Sequence, residues 1–189
     1  MQELRSAILS KYLSGTKVQT IVRVLWIATF AVLTAISAQI EIPLRPVPLT
    51  LQTFFVLLSG AFLGKQDGFL SMSLYLGLGA LGLPVFAAGG SGLHSVLGPS
   101  GGYLLAFPLA SFAIGHLISI SSKRLFVFFS MLVGLMIIFT FGTIQLNFVF
   151  FHNWSHSFEA GFLIFSVWDI VKLLAASSIY SQFLERQKH

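Results

Sequence analysis

No cysteine occurs among the 189 residues. That excludes disulfides, thiolate nucleophiles and cysteine-ligated metal sites, and it removes the usual clue to redox compartment. Charge is nearly as scarce: Asp, Glu, Lys and Arg make up 9% of the chain, against roughly 25% in an average soluble domain. From Gly68 to Ser122 there is no charged side chain at all. A soluble protein of this length could not cover its surface with so few charges. There is also no basic stripe with interleaved aromatics, so the net charge of +5 does not point to nucleic acid. No repeat of period 20–50, low-complexity tail or second domain interrupts the chain.

What is abundant is apolar length. Hydrophobic residues are 56% of the total, and they fall in six segments: 19–40, 50–66, 68–84, 102–121, 125–149 and 160–183. A helix needs about 20 apolar residues to cross a hydrocarbon core of roughly 30 Å. The expectation is therefore an all-α polytopic membrane protein, a single six-helix domain over residues 1–189. The second and third segments are nearly continuous, joined by Gly64-Lys65-Gln66-Asp67-Gly68, a polar turn with glycine at both ends. The polar, basic start before the first run resembles a signal peptide, with Ala35-Ile36-Ser37 as a mimic of a cleavage site. The run is too long after too long a polar region, and an uncleaved first helix is expected instead.

The cations give the orientation. With the N-terminus inside, the cytoplasmic side holds Arg5, Lys11, Lys17, Arg23, Lys65, Lys123, Arg124, Arg186 and Lys188, and the opposite side holds Arg45. This obeys the positive-inside rule at every loop and puts both termini in the cytoplasm. The cell (inner) membrane is the expected location. Lys172 is left over, inside the sixth apolar run.

The stretch "GLPVFAAGGSGLHSVLGPSGGY" (Gly82 to Tyr103) then lies outside. It is not a P-loop, because that chemistry needs a lysine beside the glycines and none occurs between Lys65 and Lys123. Six spans with Gly-x-Ser-Gly around Ser91 resemble the rhomboid intramembrane proteases, in which serine pairs with a histidine of the last helix. The sixth span here contains no histidine, and His116 belongs near the other end of the fourth. No catalytic residue is therefore assigned. His152 and His156 have the i, i+4 spacing that would share one helix face as metal ligands do, but no third ligand completes a site except Glu159. They flank Trp154 as interfacial residues do, and no metal or cofactor is expected.

Asp169 and Lys172, in "FSVWDIVKLLAASS", resist so plain an account. Each costs on the order of 2.5–3.5 kcal/mol at mid-membrane, and i, i+3 spacing puts both on one helix face. They are either a structural pair joining helices or a polar face for a solute. Trp168 beside them is a candidate apolar wall. In "PVPLTLQTFF", Pro46 and Pro48 delay the second helix until Thr50, its expected N-cap, placing Gln52 and Thr53 in the first turn. That positive helix end suits an anionic ligand group. Ala28, Ala31, Ala35 and Ala38 make a small-residue face on the first helix, which serves either internal packing or docking onto another membrane subunit.

Taken in order, "AVLTAISAQIEIPLRPVPLTLQTFFVLLSGAFLG", "YLGLGALGLPVFAAGGSG", "LGPSGGYLLAF" and "WDIVKLL" closely resemble the BioY family, the biotin-specific substrate-binding (S) components of energy-coupling factor transporters. The likeness covers about 31–110 and 166–176. It implies a six-helix protein that captures biotin at the outer face and works with a transmembrane coupling protein and ABC-type ATPases. It implies Asp169 and Lys172 as binding residues, outer loops with Phe86, Gly89, Gly90 and Ser91 closing over the ligand, and contact of Ala31 and Ala35 with the coupling protein. Some members carry asparagine and arginine after "LPVFA". Here Ala88, Gly89 and Gly90 follow, so Tyr103 and the glycine N–H groups are the expected substitutes for the ligand's far end. The same architecture serving another small vitamin is the alternative within transport.

Overall fold

The structure is a computed structural model and describes residues 16–187. Arg5, Lys11 and Lys188 of the charge pattern lie outside the described residues. Helix α1 (Thr16–Ala38) leads into a small antiparallel hairpin, β1 (Glu41–Ile42) and β2 (Leu49–Thr50), with Glu41 opposite Thr50 and Ile42 opposite Leu49. Three prolines between them exclude helix there. Then come α2 (Gln52–Ala80), a 3-10 turn (Ala87–Gly89), α3 (Leu93–Leu97), α4 (Gly101–Ile120) and α5 (Arg124–Leu146). A π turn (Asn147–Phe151), α6 (Trp154–Phe158), a second π turn (Glu159–Leu163) and α7 (Ile164–Arg186) complete the chain.

α2 is two antiparallel arms. Gly64 has φ 77° and ψ −177°, a region essentially closed to residues with a Cβ, and it reverses the chain. The Gln52 side chain consequently reaches the Tyr75 hydroxyl, although 23 residues of straight helix would separate them by about 34 Å. The turn is tighter than the five-residue link expected from Gly64 to Gly68. One glycine suffices, and Lys65, Gln66 and Asp67 enter the first turn of the second arm. Asp67 there accepts a bidentate pair from Arg23 of α1, with Nε 2.8 Å from both carboxylate oxygens.

Inside lipid, apolar side chains gain little by leaving their solvent, so helix association rests on close packing and hydrogen bonds. The contact of α4 with the α2 arms is built that way. A Cβ added at Gly115 would lie 2.3 Å from the Lys65 nitrogen, and one at Gly68 2.4 Å from Ser111 Oγ. Ser59 and Ser111 share a hydrogen bond of 2.9 Å across the same seam. Val56, Leu57, Met72, Ile114, Met131, Leu135 and Ile138 fill the space between α2, α4 and α5 and are fully buried.

The Gly64 turn defines one end of the bundle. Arg23 near the start of α1 reaches it, and Phe62 stacks edge-on against Tyr180 and Phe183 near the end of α7, both at 5.1 Å. Both ends of the described chain therefore share that face, and Arg45 belongs to the opposite end. Among the described residues, four helical stretches are long and apolar enough to cross a membrane, Val18–Ala38, Gly101–Ile120, Arg124–Phe151 and Trp154–Arg186, while the α2 arms are shorter. Ile21, Leu25, Leu125, Phe129, Val167 and Val171 are each more than half exposed. This is a multi-pass membrane protein.

One expected cap is displaced. Thr50 pairs in β2, and Leu51 occupies the N-cap of α2. The Thr50 hydroxyl still accepts from the Gln52 N–H at 3.3 Å.

The seam yields a direct check. Gly115→Ala forces backbone apart and should cost about 1–3 kcal/mol, seen as a lower melting temperature in detergent. Gly77→Ala, where a Cβ would meet nothing within 4 Å, should melt like the parent. Equal melting of the two variants would contradict the close-packed seam.

Candidate ligand-binding site

At the end of the bundle away from Gly64, a cavity of about 360 Å³ is enclosed by the β-hairpin, α2, the 86–100 segment, α4, α5 and α7. That size falls among small-molecule sites. On α7 the buried residues Asp169, Leu173, Ala176, Ser177 and Tyr180 recur at helical spacing, whereas Trp168, Ile170 and Val171 face outward. The stripe turns Asp169 and Lys172 into the cavity wall.

The pair is closed by α2. Lys172 Nζ lies 2.8 Å from Asp169 Oδ1, donates to the Thr50 carbonyl at 2.7 Å and donates to Thr53 Oγ1 at 2.8 Å. Thr53 in turn donates to Asp169 Oδ1 at 2.5 Å. All three ammonium protons thus have a protein partner. The Asp169 side chain is 1% exposed and that of Lys172 11%. Removing one partner would leave an uncompensated buried charge, worth about 3–5 kcal/mol.

A second set of contacts ties the hairpin to the glycine-rich stretch. Thr50 Oγ1 donates to Gln52 Oε1 at 2.8 Å, Gln52 Nε2 donates to the Tyr75 hydroxyl, and that hydroxyl donates to the Val85 carbonyl at 3.2 Å. Gln39, just past α1, clamps the next residues with both ends of its amide. Nε2 donates to the Phe86 carbonyl at 2.9 Å, and Oε1 accepts from the Gly89 N–H at 3.1 Å. Phe86 seats the far edge of its ring on Gly79, where a Cβ would sit 2.1 Å from Cζ.

Of the residues expected at a site, Gln52, Thr53, Phe86, Tyr103, Asp169 and Lys172 line this cavity. Gly89, Gly90, Ser91 and Trp168 are not on its wall. The loop residues serve the loop's own folding: Gly90 N–H donates to the Ala87 carbonyl, and the Ser91 carbonyl accepts from the Ser95 hydroxyl. Trp168 is 55% exposed, since the residue next to Asp169 on a helix must face elsewhere. Tyr103 presents its ring to the cavity, while its hydroxyl donates to the Gly161 carbonyl at 2.7 Å.

Gln39, Tyr75 and His94 were not indicated by the sequence. His94, on α3, lines the cavity and is exposed. The only available signal was a polar side chain within or beside an apolar run.

Other candidates separate. Ser91 lies at the cavity end and His116, next to Gly115, at the Gly64 end, so they cannot act on one another. His152 and His156 do not share a helix face, because His152 has φ 50° and breaks the chain before α6 begins at Trp154. Among the described residues no group of three metal-ligating side chains occurs. Ala31 is 2% exposed and Ala35 half-buried, and both line a cleft between α1 and the second arm of α2.

The clamp predicts loop behaviour. Gln39→Ala frees the Gly89 N–H, and hydrogen exchange there should rise about fivefold for the loss of a bond worth ~1 kcal/mol. Unchanged exchange would show that the loop holds itself.

The profile of the BioY family matches residues 10–189. A protein of Pyrococcus horikoshii named "Probable biotin transporter BioY" is 44% identical over 151 residues, 79% of this chain and 88% of that protein. The "Biotin transporter BioY" of Thermotoga maritima is 43% identical over 150 residues, with the same shares covered. Among solved structures, the S-component for biotin from an ECF-type ABC transporter superposes with a TM-score of 0.82 at 28% identity, covering 91% of this chain and 95% of that one.

Proposed function

The chain belongs to the BioY family, and from that premise we propose that the Asp169–Lys172 cavity is the site at which it takes up biotin. The protein is a biotin transporter component and not an enzyme. The observation that carries the site assignment is the buried pair itself. Two ionisable groups at mid-helix, held by Thr53 and facing a cavity, are rare in membrane segments and mark the paths of solutes and ions there. Biotin offers a ureido ring with two N–H donors and one carbonyl. Asp169 is suited to accept from the ring and Lys172 to donate to its carbonyl. Phe86, Tyr103, Phe107 and Phe139 supply the apolar walls that a fused ring needs.

The six apolar stretches are six crossings in this account, the shorter two being the α2 arms, and the Gly64 end with both chain ends is cytoplasmic in the cell membrane. The charge distribution supports this, since Lys65, Lys123, Arg124 and Arg186 fall at that end and Arg45 at the other. The chain lacks cysteine, so single introduced cysteines report cleanly. Gln187→Cys should label only after permeabilisation and Arg45→Cys in intact cells; the reverse would overturn the orientation.

As an S component the chain works with a transmembrane coupling protein and ABC-type ATPases. Ala31 is engaged inside the fold, so the docking face we propose on α1 centres on Ala35 and the exposed Val32 and Ile36 beside it.

The site is tested by biotin titration of the purified protein. Charge-assisted hydrogen bonds are worth roughly 1.5–3 kcal/mol, so Asp169→Asn or Lys172→Ala should weaken binding by about 10–100-fold. Because a single change also strands a buried charge, Asp169→Asn/Lys172→Met belongs in the same series. Near-parental affinity in that folded double variant would make the pair purely structural.

A further inference from the structure

Biotin ends in a carboxylate, and the buried pair is poorly placed to receive it. Lys172 already donates to Asp169, Thr53 and Thr50, and its charge is balanced by Asp169. A second carboxylate brought to this pair would leave the cavity with a net negative charge, whereas the neutral ureido ring adds none. The groups that the sequence offered for the ligand's far end are engaged as well. The Tyr103 hydroxyl donates to Gly161, and the Gly89 and Gly90 N–H groups donate to Gln39 and Ala87.

We infer that His94 receives the carboxylate tail of the ligand and sets the preference of this chain for an acid over its neutral analogues. Among the described residues lining the cavity, it is the one basic side chain besides Lys172. It belongs to α3 rather than to α7. It is also exposed where Asp169 and Lys172 are deep, so it stands at the mouth of the cavity. An elongated ligand with its ring on the buried pair would direct its tail there. Ser100 lines the same cavity at the N-cap of α4, and its side chain makes no capping hydrogen bond. It offers a hydroxyl beside the positive end of a 20-residue helix. This inference rests on the cavity being the biotin site, and its test separates the two.

The experiment is a titration of the full chain in nanodiscs with biotin and with biotinamide, whose tail is neutral. The parent should bind both and prefer biotin by about tenfold or more, as a charge-assisted contact would give. His94→Ala should lose that preference by weakening biotin alone, and His94→Arg should restore it. A preference retained in His94→Ala, or an equal loss of both ligands, would overturn the inference. Equal binding of both ligands by the parent would overturn it too, while leaving the cavity as the biotin site. A parent that bound neither would overturn the site reading on which it rests.

Discussion

Everything at the cavity end depends on keeping Asp169 and Lys172 ionised inside an apolar protein. An unpaired charge at that depth would be expelled or neutralised. The pair survives because Thr53 bridges it, accepting from the ammonium and donating to the carboxylate, and because the Thr50 carbonyl takes the remaining proton. Both threonines stand where the β-hairpin enters α2. Proline at positions 43, 46 and 48 keeps that entry extended, which leaves the Thr50 carbonyl free to turn toward α7.

Holding two elements 116 residues apart in register to within a hydrogen bond requires a stiff frame. The frame is supplied by glycine and serine rather than by bulk. Gly60, Gly68 and Gly115 let α4 touch both arms of α2 along their backbones, and the Gly64 reversal sets those arms antiparallel, side by side. At the cavity end, Gly79 makes room for the far edge of the Phe86 ring, and the amide of Gln39 anchors the segment that follows. The segment that walls the cavity is fastened to the frame at both ends, by Gln39 at Phe86 and Gly89 and by Gln145 of α5, whose Nε2 donates to the Val96 and Gly98 carbonyls.

Much of this was legible in the sequence because a membrane makes few demands and states them loudly. Long apolar runs mark helices by length alone, and a lone Asp and Lys inside such a run stand out. Thr53 and Gln52 followed from the prolines before them. What could not be read were contacts set by three-dimensional closure. Gln39 meets Phe86 and Gly89 across about 50 residues, and nothing local in "AQIEIP" distinguishes it. Tyr75 reads as one more aromatic in an apolar helix until the reversal at Gly64 brings it to Gln52. In the glycine-rich stretch the N–H groups of Gly89, Gly90 and Gly92 donate to Gln39, Ala87 and Gly79, and Phe86 and His94 on either side of the glycines line the cavity. Trp168 shows the limit of adjacency, since a neighbour in sequence on a helix is turned to another face.

The central claim is that the buried pair is a ligand site and not merely a strut between α2 and α7. It is tested most directly by an experimental structure of the protein with biotin bound. The ureido ring should lie within hydrogen-bonding distance of Asp169 and Lys172, with Thr53 still joined to the carboxylate. Biotin seated elsewhere, with the pair closed on itself and shielded from the ligand, would contradict it.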